Sequence, residues 1–142
     1  MKAQEHAIEI HLEVPFHDVD ALRIVWHGHY LKYLELARTA LLRAGGLDMD
    51  GVMALGYGFL VVESRLRHSA PLRYGDRFSV RCWCVDLDHR LHLAYEIHNL
   101  TTGRRAARAS TKLVTTDLQG NLQYETPDAI RQCLHRAVHR DL

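Results

Sequence analysis

The chain has 142 residues, 47% of them hydrophobic and 25% charged, with 18 Lys plus Arg against 17 Asp plus Glu and a formal net charge of +1. That composition excludes intrinsic disorder, and a chain of this length is expected to fold as one domain, residues 1–142, around a core of its own. The balanced charge lacks the electrostatic footprint of a nucleic-acid binder, and no apolar run approaches the ~20 residues of a membrane-spanning helix.

Met1 to His6 lack the apolar stretch of a signal peptide, and three cysteines cannot all pair within one chain. Cys82-Trp83-Cys84 is not the C-x-x-C of redox or zinc sites. A reducing, cytoplasmic compartment is the expectation.

The first element runs from His6 to Val14. Ile8, Ile10, Leu12 and Val14 alternate with Glu9, His11 and Glu13, the period of a half-buried strand, and Pro15 ends it. From about His29 to Ala44 the period becomes helical. Lys32, Glu35, Thr39 and Arg43 form one narrow polar stripe, while Tyr30, Tyr33, Leu34, Ala37, Leu41 and their apolar neighbours cover the rest. A helix so apolar predicts a central position wrapped by other structure, with Gly45-Gly46 as its stop.

Four strands follow: Phe59 to His68, Phe78 to Cys84, Leu91 to His98 and Ala107 to Leu113. They are separated by turn residues at Tyr74-Gly75-Asp76, Asp86 to His89 and Thr101-Thr102-Gly103. Read in order they predict an antiparallel meander. Thr126-Pro127-Asp128 marks a helix start with Thr126 as cap, and Ile130, Cys133, Leu134 and Val138 give that short helix an apolar face. The fold class is α+β, a five-stranded antiparallel sheet around one apolar helix with a short C-terminal helix.

Chemistry concentrates between the first strand and the central helix. Phe16 to Tyr30 holds two carboxylates, Asp18 and Asp20, and three histidines, His17, His27 and His29. A loop entering a helix N-terminus presents backbone N–H groups and a positive dipole end, which stabilise an anion or a developing oxyanion. A carboxylate beside them serves as nucleophile or general base. Taken without further pattern, Asp20 also suits a turn-capping role.

The run Asp18-Val19-Asp20-Ala21, then Val25-Trp26-His27-Gly28-His29-Tyr30-Leu31-Lys32-Tyr33, then Glu35-Leu36-Ala37-Arg38 resembles the hot-dog thioesterases of the 4-hydroxybenzoyl-CoA type. It is most similar to the subgroup of Tol-Pal-associated acyl-CoA thioesterases. Arg67-His68-Ser69-Ala70-Pro71-Leu72-Arg73-Tyr74-Gly75-Asp76 resembles a second stretch of that family. The resemblance implies the hot-dog fold and hydrolysis of an acyl-CoA or acyl-carrier-protein thioester. It places the catalytic carboxylate on Asp20 and the helix-start N–H that faces the thioester carbonyl on His27, with Tyr30 among the substrate-binding positions. No metal or resident cofactor is implied, since coenzyme A enters as part of the substrate. Active sites between protomers imply a homodimer or homotetramer. The family's basic turn for coenzyme A phosphates falls on Asp88-His89-Arg90, with Arg90 the first candidate and His89 the second.

Four positions depart from the pattern. Leu22-Arg23 stands where the family carries glycine, a residue that admits positive φ, and Arg23 is a candidate for an acidic group on the acyl chain. His29 replaces a common Asn, and Phe16 a common Tyr. Asp18 is expected to orient the loop, Glu35 and Arg38 to pair along the helix, and Glu63 to serve at a strand edge. His92 and His98 are expected to face solvent, as are His135 and His139, with Cys82 and Cys84 in the core. A metal held by His27, His29 and Asp18 is disfavoured by spacing. The alternatives in function are a hot-dog dehydratase acting on hydroxyacyl thioesters and a non-catalytic carrier-protein binder.

Overall fold

The structure is a computed structural model that describes residues 6–139. The readings made of Met1 to Glu5, and of the side chains of Val138 and His139, fall outside that description. In chain order the elements are β1 (Ile8–Glu13), α1 (Tyr30–Ala44), α2 (Met49–Ala54), β2 (Tyr57–His68), β3 (Arg77–Asp86), β4 (Leu91–Asn99), β5 (Arg104–Asp117) and α3 (Asp128–His139). The strands make one antiparallel sheet in the order β1-β3-β4-β5-β2.

Alternation along the strands sets the inner face. Leu91, Leu93, Tyr95 and Ile97 of β4 are buried, as are Phe78, Val80 and Cys82 of β3, and all share one core with Tyr33, Leu34, Ala37 and Leu41 of α1. Each fully buried Leu, Ile, Val or Phe among them contributes roughly 1.5–3 kcal/mol by leaving water. A polar strut crosses the same interface: Arg38 donates to the Tyr95 hydroxyl at 3.3 Å, and that hydroxyl lies 2.7 Å from Thr111 Oγ1. Arg38 Nη2 also lies 4.0 Å from Glu35, the expected helix pair.

Two expectations are corrected. The four later strands do not form a continuous meander, because β2 lies beyond β5 at the opposite edge from β1. The ladder from Tyr57↔Asp117 to His68↔Ala107 uses nearly the whole of the two longest strands, a match that the shorter β3 does not offer. Tyr74-Gly75-Asp76 is therefore no hairpin turn. Gly75 N–H donates to Val14 O, and Val14 N–H to Asp76 O, which seats the link against the end of β1. Nor is α1 wrapped on all sides. A single sheet covers one flank, so Leu31 and Leu36 are 48% and 46% exposed.

Residues 49–54 carry too few turns to show a helical period, and the sequence did not announce α2. Its cap is Asp48, whose Oδ1 accepts from Met49 N–H while Oδ2 accepts from Arg43 Nε. Thr126, expected as the cap of α3, is buried and donates its N–H to Asp88 O instead, and Pro127 O takes the first helical bond from Arg131 N–H. Along the free edge of the sheet, β2 exposes Leu60, Val61 and Val62 at a bulge between Val61 and Glu63. Glu63 there lies between Arg65 and Lys112.

Candidate active site

Between β1 and α1 the chain makes two short 3-10 turns, Phe16–Asp18 and His27–His29, joined by a tight hairpin. The hairpin closes through the Val19↔Val25 bridge and the bond from Asp20 N–H to Ile24 O at 3.0 Å. At its tip the Leu22 N–H donates to Asp20 Oδ1 at 2.8 Å, and the Arg23 N–H to Asp20 O at 2.9 Å. Closing so tightly requires a left-handed residue, and Arg23 takes φ 66°. The family glycine near this position thus has a geometric reason, and Arg23 bears the backbone strain that glycine would relieve. The hairpin is tied to the chain before β3 by the Ile24↔Arg73 bridge and by Val25 N–H donating to Leu72 O at 2.8 Å.

Asp18 holds this loop onto α1. Its carboxylate is buried and accepts from Lys32 Nζ at 2.7 Å and from the Tyr33 hydroxyl at 2.5 Å, while its backbone oxygen accepts from Trp26 N–H. His17 Nε2 and His29 Nε2 stand 3.7 and 4.0 Å from Oδ1. Burial pushes the Asp18 carboxyl up, but the hydrogen bonds from Lys32 and Tyr33 and the nearby positive charge outweigh it and hold it below the usual carboxylate range. Burial and the Asp18 charge raise the Tyr33 phenol in turn.

The second turn runs directly into α1, so His27 and Gly28 stand at the open N-terminal end of a long helical segment. The Trp26 indole folds over Gly28, where an added Cβ would lie 2.2 Å from the ring, so this close approach needs glycine. His27 and His29 diverge: His27 lines a cleft, and His29 turns towards Asp18. Among the described residues no group of three His, Cys, Asp or Glu side chains is arranged to hold a metal ion.

That cleft has a volume of about 520 Å³. Asp20, His27, Tyr30, His68, Ser69 and Arg73 supply its polar wall, and Leu22, Ile24, Val25, Ala70 and Pro71 its apolar wall. His68 packs edge-on against Tyr30 with ring centroids 4.5 Å apart. Burial, reinforced by His27, pushes the His68 imidazole below its ordinary value, which keeps it neutral near pH 7. Burial raises the Tyr30 phenol, against a smaller opposing bond from the Leu72 backbone.

Of the residues singled out from sequence, Asp20, His27 and Tyr30 meet in this cleft, and Arg23 does not line it. His89 and Arg90 line a separate cleft of about 370 Å³ with Val114, Leu122 and Tyr124. The two clefts lie at opposite ends of the sheet. Ile97 and His68 both face Ala107, whereas Leu91, next to Arg90, faces Leu113. The six residue steps from Leu91 to Ile97 span roughly 20 Å of strand. His68, Ser69 and Arg73 enter the site from the end of β2 and the link that follows, and only the β2–β5 register and the Ile24↔Arg73 bridge reveal it.

The profile described as the thioesterase-like superfamily matches residues 14–134 of the chain. The protein sll0410 of Synechocystis, which carries a provisional esterase name, is 30% identical over 132 residues, covering 92% of this chain and 80% of its own. YneP of Bacillus subtilis, provisionally named an acyl-CoA thioesterase, is 27% identical over 113 residues, 79% of this chain and 81% of its own. Among solved structures, the BH1999 gentisyl-coenzyme A thioesterase superposes with a TM-score of 0.76 at 26% identity, covering 87% of this chain and 99% of that one.

Proposed function

Since the chain belongs to the thioesterase-like superfamily, we propose that its Asp20–His27 cleft hydrolyses the thioester of an acyl-CoA to a free acid and a thiol. The observation that supports this most is the convergence of a carboxylate and an open helix start on one partly apolar cleft. Leu22 N–H fixes Asp20 through Oδ1, and no donor among the described residues engages Oδ2. In the general-base route Oδ2 takes a proton from water as the water oxygen bonds to the thioester carbonyl carbon. The His27 N–H, at the positive end of the helix, holds the oxyanion that forms. Collapse of that intermediate breaks the C–S bond, and the thiolate leaves with the proton Asp20 had taken. In the nucleophilic route the same oxygen attacks the carbonyl directly, the C–S bond breaks as the thiolate leaves and takes a proton from solvent, and water then hydrolyses the mixed anhydride to the free acid and the Asp20 carboxylate. Neither route needs a metal or a redox cofactor.

The active unit in this reading is a dimer formed through β2. An unpaired twelve-residue edge with three exposed apolar side chains in a row is a template for a second copy. The described cysteines are free thiols, which fits a reducing compartment. Among the described residues no helix is long and apolar enough to cross a membrane.

The dehydratase alternative asks for an acid on the central helix. Glu35, the only acidic residue of α1, has a 71% exposed side chain and does not line the cleft. The discriminating experiment presents acyl-CoA, acyl-carrier-protein and 3-hydroxyacyl-CoA thioesters to the purified protein and follows thiol release and dehydration. Thiol release from acyl-CoA is expected. Dehydration of the 3-hydroxyacyl substrate without thiol release would assign the cleft to the alternative.

A further inference from the structure

The polar residues of the Asp20 cleft are not equally free to meet a substrate. Ser69 Oγ donates to Arg105 O at 3.3 Å. The buried Tyr30 hydroxyl is bonded to the Leu72 backbone, and His68 stands edge-on against the Tyr30 ring, neutral near pH 7. Arg73 is the one lining residue with a permanent positive charge, and it is exposed. Asp76, three residues on, is engaged by the Arg73 backbone N–H at 2.9 Å and by Asn99 Nδ2 at 2.7 Å. Among the described residues no carboxylate forms an ion pair with the Arg73 guanidinium.

Backbone pairing aims that charge. One step in from the Val19↔Val25 bridge, Asp20 faces Ile24, and Ile24 pairs with Arg73 on its other side. Directly opposed residues of antiparallel strands share a face, so Asp20, Ile24 and Arg73 form a row, and all three line the cleft. Two strand spacings put the Asp20 and Arg73 backbones roughly 10 Å apart, with the apolar Ile24 side chain between them. Arg23, the cation that the sequence offered for an acidic acyl group, sits at the hairpin tip and does not line the cleft.

We propose that Arg73 is a specificity-determining residue that selects acyl groups ending in a carboxylate, the half-thioesters of short dicarboxylic acids. The proposal rests on the thioesterase reading and names the substrate class within it. The thioester end lies at Asp20, the methylenes cross Ile24, and the distal carboxylate meets the guanidinium fork in bidentate geometry. The Asp20 charge repels that carboxylate, so a diacid enters with its thioester end towards Asp20. An acyl chain ending in a methyl gains nothing from Arg73.

The test compares the full-length protein with Arg73→Gln and Arg73→Lys, substitutions at an exposed position that keep the backbone bonds. The substrates are the adipoyl and hexanoyl thioesters of N-acetylcysteamine, equal in chain length and free of nucleotide. The wild type should favour adipoyl over hexanoyl in kcat/KM by about tenfold or more, as a charge-assisted contact implies. Arg73→Gln should abolish that ratio through KM, Arg73→Lys should keep part of it, and added salt should shrink it. No preference in the wild type overturns the proposal, as does an equal fall for both substrates in Arg73→Gln. A variant that loses only hexanoyl-CoA against hexanoyl-N-acetylcysteamine, with the adipoyl ratio unchanged, also overturns it and assigns Arg73 to the carrier. Calorimetric titration with the corresponding uncleavable thioethers, tipped by carboxylate or methyl, separates this from the hydrolase reading. If the wild type cleaves no thioester yet binds the carboxylate-tipped thioether more tightly than Arg73→Gln does, the selectivity stands without the activity. Equal binding removes it.

Discussion

Two aspartates two residues apart meet opposite fates. Asp18 is buried and paired with Lys32 and Tyr33, whereas Asp20 keeps an oxygen on the cleft. Asp18→Asn should cost about 2 kcal/mol, because it removes the charge that satisfies two donors, while the half-exposed Lys32 can return to water. The folded-state pKa of Asp18 is lowered, so its contribution is complete above the unfolded carboxylate value and is lost as pH falls below about 4. Urea titrations across pH 3 to 7 should show that acid-side slope in the wild type and less of it in Asp18→Asn. At the hairpin tip, Arg23→Gly should leave stability unchanged or raise it by up to about 1 kcal/mol, and Arg23→Val should lower it, both read as thermal midpoints. The motif was enough to single out Asp20, His27 and Tyr30. Lys32 and Tyr33 were legible only as members of a polar stripe and an apolar flank, because their partner lies across a tertiary contact. Arg73 stood only within the second family-like stretch, and the Ile24 bridge is what brings it to the cleft.

At the scale of elements, alternation read the strands well because each has one face against the core. It said nothing of their order, since a period of two does not record which neighbour a strand chooses. The six residues of α2 were too short for any period, and the exposed flank of α1 reflects a single sheet covering one side. The α1–α3 contact has a sharp steric test. A Cβ added at Gly45 would lie 2.7 Å from the Cys133 carbonyl oxygen of α3, a backbone atom with little room to yield. Gly45→Ala should therefore destabilise the protein by about 1–3 kcal/mol by pushing the two helices apart. Denaturant unfolding checks this, and hydrogen exchange should show the added opening first in α3.

For the whole molecule, the proposed dimer through the free edge of β2 is what would join fold to function. Antiparallel pairing of two such edges about a two-fold axis sets the Tyr57 end of one strand beside the His68 end of the other. The far end of the partner's sheet then stands next to the cleft. Leu60→Glu/Val62→Glu, placed on exposed side chains of that edge, should convert a dimer to monomers in light scattering and reduce thioester turnover with it. This level was the least legible in the sequence, because Leu60, Val61 and Val62 read equally well as the interior of a buried strand.

The central reading, that the Asp20 carboxylate drives thioester hydrolysis in the cleft at the start of α1, is tested most directly by one comparison. It measures thiol release from an acyl-CoA by wild type and by Asp20→Asn at matched folding and mass. The expected result is a fall of about 10²-fold or more in kcat/KM for the variant. Turnover by Asp20→Asn close to that of the wild type would contradict the reading.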